Sequence, residues 1–490
     1  MVVADWGRWA DPDLWGHVRF GQAVLAHGHV VTRDTYSYSA PGHLFLDHEW
    51  LSDVLMAWLY NTLGVVGLKL MKLLCSGLTV VFLAMAMGET GAGTLLQFAV
   101  LLLASVSVSP QMQFRPQVFT FAALSGLLVL LARHTFRGRA PLWIAIPLLG
   151  LWANLHGGFI IGLATLGLYS VVVLAEDVFA GRGPSRAVVP LLVTAGATAA
   201  TLLTPYGSGT WYAVFHALVN PYTRVVVDDW QSIPSVLLAG GVLRILGPVV
   251  LFATLGASLL AARRGGDVAL LAVAAMMIVA AFTAIRNLPI AVIASVTPLA
   301  RHLALALEAR RSKLGIAKPP EPERSGRINQ AIVSAIAVVL AVGGGLFSTT
   351  LVAGNPYPVG AVRFMKQHRL NGNILDHFAW GDYLIWHMAP ESKVFIDGRY
   401  DTVYPQQVLR QFLLFHFDKA GGAGILEAWP HDFVMIAPDS GANRIMQMRR
   451  DWKLIYSDSA TLLYARAGSP ATQIPGVPIA AGVAPASSFP

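Results

Sequence analysis

The sequence predicts a mainly α-helical, polytopic membrane protein of about ten transmembrane helices, followed by a small α/β domain. Three observations carry this. Apolar runs long enough to cross ~30 Å of hydrocarbon recur through residues 65–350. The 490-residue chain is 55% hydrophobic and only 13% charged, with mean hydropathy +0.57, whereas a soluble protein of this length carries about twice that charge. Beyond residue 350 the charge rises, and short β-like runs alternate with helical ones. The one cysteine, Cys75, lies inside an apolar run, so there is no disulfide framework. No cleavable signal peptide is evident.

Taken in order, residues 1–64 form a polar and aromatic segment expected on the outer face. Leu14, Val18, Phe20, Gly21, Val24 and Leu25 have helical apolar spacing, which predicts an amphipathic helix over 14–27 lying on the membrane. Residues 32–42 are turn-rich, and a second interfacial helix is expected from near Asp47 to about Leu63. Spans follow at 65–87, 92–108, 115–133, 141–154, 157–179, 187–204, 242–262, 266–284, 288–309 and 328–350, each set by apolar length and nearly free of charge. The short 141–154 run is expected to lead into the next element through a break at Asn154-Leu155-His156-Gly157-Gly158. Residues 351–467 read as the α/β domain, with β-like runs at 393–396, 433–436 and 461–465 and helix-like stretches at 359–368 and 405–417. The Pro-, Ala-, Gly- and Ser-rich residues 468–490 read as a disordered tail.

The basic loops orient the chain. Arg133, Arg137 and Arg139, then Arg182 and Arg186, then Arg263 and Arg264, then Arg310, Arg311 and Lys313 fall on one side of this span list, which is therefore expected to be cytoplasmic. The other side receives 1–64, 109–115, 205–241, the Arg286-Asn287 turn and everything past 350. The same placement explains the net charge of +8 without a nucleic-acid partner.

Candidate chemistry concentrates on the outer side. Asp11 and Asp13 flank Pro12, which restricts the chain between them. Such a pair either binds a divalent metal such as Mg or Mn, or supplies a general base toward a hydroxyl. The plain alternative is that Asp13 caps the helix starting at Leu14. Asp47, His48 and Glu49, with His17, make a second cluster of ligand types that suit zinc or manganese, although no spacing matches a metal motif. Asp47 as a helix cap is the bland alternative. Arg115, Asn154, His156, Arg286 and Asn287 lie at outer ends of spans, where polar groups are costly and are functional or paired. The arginines suit the phosphate of a lipid-linked donor, against snorkelling to headgroups. Asp228, Asp229 and Trp230 combine carboxylates and a ring as sugar sites do, against an interfacial aromatic belt. Asp397 and Arg399, after a β-like run, either contact a ligand or fasten the domain as an ion pair.

The motifs Asp-Pro-Asp-Leu-Trp-Gly-His (11–17), Asp-His-Glu-Trp-Leu-Ser (47–52), Trp-Ala-Asn-Leu-His-Gly-Gly (152–158), Trp-Gly-Asp-Tyr-Leu (380–384) and Phe-Ile-Asp-Gly-Arg (395–399) resemble a group of largely uncharacterised prokaryotic membrane proteins. Their architecture is similar to that of GT-C glycosyltransferases. The resemblance implies an acidic residue in the first outer loop as base, Asp13 or Asp11, and a polyprenyl-phosphate-linked sugar donor gripped by Arg286 and Arg115. It implies transfer with inversion to a lipid, glycan or protein acceptor, at the periplasmic face of a bacterial inner membrane. Two departures stand out. GT-C proteins carry a span before the acidic loop, whereas only Met1–Ala4 precede Asp5, so either a misplaced start codon or a missing first helix is expected. Relatives also tend to carry Trp where this chain has Gly16, which is expected to loosen contact with lipid. The rivals are a transporter or flippase of lipid-linked glycans, which needs polar residues deep in several spans, and a non-catalytic envelope scaffold.

Overall fold

The computed structural model describes residues 9–222, 225, 228–238, 242–262, 265–316, 351–353, 357–400, 402–474 and 488–489. The chain divides into two units, one built on Val66–Thr210 and Val227–Phe347, the other on Arg8–Val65, Trp211–Val226 and Ser348–Pro490. The first outer segment thus shares a unit with the C-terminal domain, from which the sequence separates it by the whole membrane region.

Helices α1 (Leu14–His27) and α2 (Trp50–Leu63) open the second unit. The N-terminal part of the apolar stripe of α1 is turned into protein, whereas Leu25 is exposed. Leu14, Trp15 and Val18 are fully buried, and α1 packs on α2. Their approach requires Gly21, where a Cβ would sit 2.0 Å from the Asp53 carbonyl oxygen.

The first unit is the helical membrane region. Apolar length sets α3 (Val65–Gly88), α4 (Thr94–Val108), α5 (Gln117–Arg137), α6 (Ala145–Leu155), α7 (Phe159–Phe179), α8 (Ser185–Ala200), and, after the short α9 (Ser208–Val219), most of which belongs to the second unit, and α10 (Ile233–Leu238), α11 (Val242–Ala261), α12 (Val268–Thr283) and α13 (Leu288–Lys313). Each expected span from 65–87 to 288–309 coincides with one of these, and 328–350 lies outside the described residues. Among the described residues five helical stretches are long and apolar enough to cross a bilayer, and four shorter apolar helices accompany them. The expected break falls between α6 and α7. The spans carry more charge than the sequence reading allowed. Lys69 and Lys72, in the first turns of α3, are buried, and the Lys72 ammonium lies 4.5 Å over the Phe114 ring. The basic loops are tied together at one end of the helices: Glu89 pairs with Arg133 and Arg137, and Arg301 donates to the carbonyls of Thr90 and Gly265.

In the second unit a five-stranded sheet has the order β4-β3-β5-β7-β6, from β3 (Asn373–Leu375), β4 (Lys393–Val394), β5 (Phe433–Ile436), β6 (Trp452–Ser457) and β7 (Leu462–Arg466). β4, β3 and β5 run parallel, and β7 and β6 continue antiparallel. Helices α14 (Val359–Gln367), α15 (Gly381–Met388) and α16 (Gln406–His416) accompany it. A second sheet joins β1 (Trp9–Ala10), β2 (Leu351–Ala353) and β8 (Ser488–Phe489). The expected disordered tail is therefore ordered in part. Phe489 is buried against Trp15, Tyr60 and Trp386, and Pro470–Gln473 form a 3-10 turn. Apolar anchors hold both segments, whatever the polar composition around them.

Candidate functional site

The two aspartates at the head of α1 divide their work. Asp11 Oδ1 accepts the Asp13 N–H at 3.0 Å and the Asp11 carbonyl accepts the Leu14 N–H, so Asp11 shapes the turn into the helix. Asp13 stands at the N-cap, and its backbone carbonyl accepts the His17 N–H, but its carboxylate makes no capping hydrogen bond. That carboxylate reaches instead toward Gly398 and Asp382. The position of a Cβ on Gly398 is 3.4 Å from Asp13 Oδ1 and 2.5 Å from Asp382 Oδ2.

Asp382 is brought there by local geometry. It sits in the first turn of α15, and the start of α15 lies against the chain after β4 because residue 381 is glycine: a Cβ there would be 2.2 Å from the Ile396 carbonyl oxygen. Asp376 follows β3 and accepts the N–H groups of Phe395 and Ile396. The carboxyl-terminal ends of adjacent parallel strands thus carry Asp376 and Asp397, the edge at which open α/β sheets bind ligands. Gly16 belongs to the same arrangement. A Cβ there would meet Asp382 Cγ at 2.6 Å, so the glycine makes room for a carboxylate.

Asp397 and Arg399 form a buried network through Nε and Nη2 of the guanidinium. Arg399 donates to Asp397 at 2.9 and 2.7 Å and to Asp34 at 2.6 Å, and Tyr404 adds a hydrogen bond to Asp397 at 2.6 Å. The guanidinium is enclosed by the faces of Phe20, Tyr36 and Phe45 at 4.7, 5.3 and 4.9 Å. Both residues are buried. The pair fastens residues 34–45 to the C-terminal domain within this unit.

His17 and Asp53 meet at 2.8 Å, joining α1 to α2. Burial opposes charge on both partners. Asp53, with added attraction from Glu49 and Asp13, outweighs it at the imidazole and raises His17 to about 10, while burial and Asp47 raise the Asp53 carboxyl well above its ordinary range, so the contact keeps its proton into the alkaline range. Asp47 accepts the Glu49 N–H at 3.0 Å, and burial raises its carboxyl above the ordinary range. It holds the turn before α2 without being its N-cap, which is Glu49. His48 lies 3.8 Å from Glu49. Among the described residues no three His, Cys, Asp or Glu side chains are grouped to hold an ion.

In the membrane unit the 3-10 turn Asp228–Trp230 supports two arginines. Arg115 pairs with Asp229 at 3.1 Å, and the Arg286 guanidinium lies 4.5 Å over the Trp230 ring. The Ile285 N–H donates to the Gln231 carbonyl, tying the two turns together. Asp229 and Trp230, expected to meet a sugar, thus hold cations; the Asp228 side chain lies outside the described residues. Asn287 donates to the Ala280 carbonyl and Asn154 to those of Gly150 and Leu203. Both are structural staples.

His156 is held in one tautomer. Its Nδ1 lies 2.7 Å from Thr120 Oγ1 and accepts the Gly158 N–H at 2.9 Å, while Thr120 Oγ1 accepts the Trp152 indole N–H at 2.9 Å. An Nδ1 that accepts leaves the ring proton on Nε2. The glycine of the motif is required: a Cβ on Gly158 would be 2.3 Å from Thr120 Oγ1. Sequence reasoning named His156 but missed Thr120, Asp34 and Asp382; for Asp382 the signal was present in the Trp-Gly-Asp-Tyr motif.

No family profile matches the chain, and no curated protein resembles it in sequence. Solved structures share its fold. The archaeal oligosaccharyltransferase AglB from Archaeoglobus fulgidus, in complex with an inhibitory peptide and a dolichol-phosphate, matches 87% of this chain at 12% identity with a TM-score of 0.56. The chain spans 66% of that protein's length. The apo oligosaccharyltransferase of the same organism matches 94% of this chain and 71% of its own at 13% identity and TM-score 0.54. ArnT from Cupriavidus metallidurans in the apo state matches 93% of this chain and 94% of its own at 14% identity and TM-score 0.50. These are membrane glycosyltransferases of the GT-C superfamily. At such identities the likeness is one of fold, and the fold is that of a GT-C-type polytopic membrane protein with a small C-terminal sheet domain.

Proposed function

We propose that the chain is a glycosyltransferase that moves a sugar from a polyprenyl-phosphate-linked donor to the hydroxyl of a lipid, glycan or protein acceptor, with inversion, at the periplasmic face of a bacterial inner membrane. The observation that carries this reading is Asp13: a carboxylate at the head of α1 that makes no capping hydrogen bond and lies toward Asp382. A general base on the acceptor hydroxyl contributes about 10²–10⁴-fold. Arg286 and Arg115, steadied by Trp230 and Asp229, serve the donor phosphate, where a planar fork suits the charge that develops on the leaving group. The gathering of basic loops at one end of the helices supports the orientation. Buried Lys69 and Lys72 both lie in the first turns of one helix, which fits chemistry at the rim better than a polar path across the bilayer.

The test is transfer of labelled sugar from a panel of polyprenyl-phosphate donors by purified protein. Asp13→Asn is expected to lose at least about 100-fold in turnover while still binding donor, and Asp11→Asn less. Full turnover in Asp13→Asn removes the base. No transfer from any donor, with lipid-linked glycan crossing the bilayer of proteoliposomes, establishes a transporter instead.

A further inference from the structure

Asp382 is only 5% exposed, and its Oδ1 has no hydrogen-bond partner among the described residues. Space has nevertheless been cleared around this carboxylate from two directions, by Gly16 on α1 and by Gly398 after β4. The opening at Gly398 is shared with Asp13 Oδ1. A second carboxylate beside a buried one adds to the cost of ionising the buried one.

We propose that Asp13 and Asp382 form a carboxylate pair holding one proton, with Asp382 as the positioning residue that keeps the proton while Asp13 acts as base. The pair rests on the reading of Asp13 given above. The ionisable groups facing Asp382 are Asp13 and His17 from α1 and Asp397 and Arg399 from the chain after β4. Burial, then Asp397 and Asp13, push its carboxyl well above the usual carboxylate range, against the pull of Arg399 and His17. The basic residues of α14 act elsewhere, Arg363 on Tyr383 and Lys366 on His387. Arg399 Nε and Nη2 are engaged by Asp397 and Asp34, and His17 by Asp53, so a proton takes the place of a paired cation at Asp382.

In the transfer, the acceptor hydroxyl gives its proton to Asp13 as its oxygen bonds to the anomeric carbon. The bond from that carbon to the phosphate oxygen breaks, and its electron pair leaves on the phosphate. Asp382 keeps its proton throughout, and Asp13 passes the proton it has gained to water before the next turnover.

The test compares wild type, Asp382→Asn and Asp13→Asn in sugar transfer across pH, with infrared difference spectra of the same purified proteins. Wild type is expected to show a bell-shaped profile whose alkaline limb reports loss of the shared proton. Asp382→Asn, whose amide has no such proton to lose, is expected to lower turnover by up to about tenfold and to lack the alkaline limb. Subtracting its spectrum from wild type at about pH 7 should reveal one protonated carboxyl. An unchanged alkaline limb, or no protonated carboxyl lost, overturns the pair. Full turnover in Asp13→Asn overturns the base assignment instead, and then the infrared result alone decides whether Asp382 holds a proton. If Asp382→Asn does not fold, wild type against Asp13→Asn decides, because the acid stretch of Asp382 must shift when its partner's charge is removed.

Discussion

Replacing Arg399 by Met separates a fastening role from a binding role. The substitution keeps most of the apolar stem inside the ring of Phe20, Tyr36 and Phe45 but deletes the charge between Asp34 and Asp397. Both carboxylates are fully buried, and removing one partner of a buried ion pair costs about 3–5 kcal/mol. Asp34 keeps its hydrogen bonds from Tyr36 and Ser37, and Asp397 keeps those from Tyr404 and from the Arg399 backbone N–H, which survives the substitution. This places the expected loss toward the lower end of that range. Arg399→Lys retains charge but not the fork that spans two carboxylates, and should lose about 1–3 kcal/mol. Denaturant unfolding of the protein in detergent, followed by tryptophan fluorescence, measures both. Arg444→Met at an exposed pair with Asp418 serves as control and should leave stability unchanged. Adding Asp397→Asn to Arg399→Met should restore part of the loss, since the uncompensated charge is then gone. Wild-type unfolding of Arg399→Met, together with weakened donor or acceptor binding, would falsify the fastening role and return Arg399 to the substrate.

Two further outcomes follow from contacts between α1 and α2. The folded value of His17, about 10, exceeds its unfolded 6.5, so its contribution is complete below about pH 6.5, declines as pH rises and is gone above about pH 10. Thermal unfolding across that interval should show an alkaline decline that is shallower in His17→Gln; identical slopes would contradict the ion pair. Gly21→Ala forces a methyl to 2.0 Å from the Asp53 carbonyl oxygen and should cost about 3 kcal/mol or more. Gly28→Ala, at φ 72° in open space, should cost about 1–2 kcal/mol in the same melts, and equal effects would refute the close packing.

What the sequence made legible was whatever is written locally. Apolar length marks α3 through α8 and α11 through α13, and the short 141–154 run revealed the break before Phe159. The Asp-Pro-Asp head of α1 is likewise local, as is β5, whose four residues are all buried. The strand β3 is only three residues long and β6 is interrupted by a register shift between Leu454 and Tyr456, so neither has a readable alternation. The larger misses are partnerships at long range. Arg399 meets Asp34 across 365 residues, and nothing near either residue names the other. Trp230 looked like a platform for a sugar because ring and carboxylates are adjacent in sequence, yet the same adjacency lets one short turn hold two arginines.

The three-stranded sheet of β1, β2 and β8 has a consequence for biosynthesis. Trp9 pairs with Val352, and Val352 with Ser488, so β1, translated before the membrane helices, waits for partners that emerge only after those helices have been inserted. Until then α1 exposes the apolar surface, Trp15 included, that Tyr357, Tyr383 and Phe489 later cover, and pairing over such separations is slow. The unfinished unit is therefore the stage at which holdases and quality-control proteases have their opportunity, and destabilising changes near Trp15 should act on yield before they act on rate.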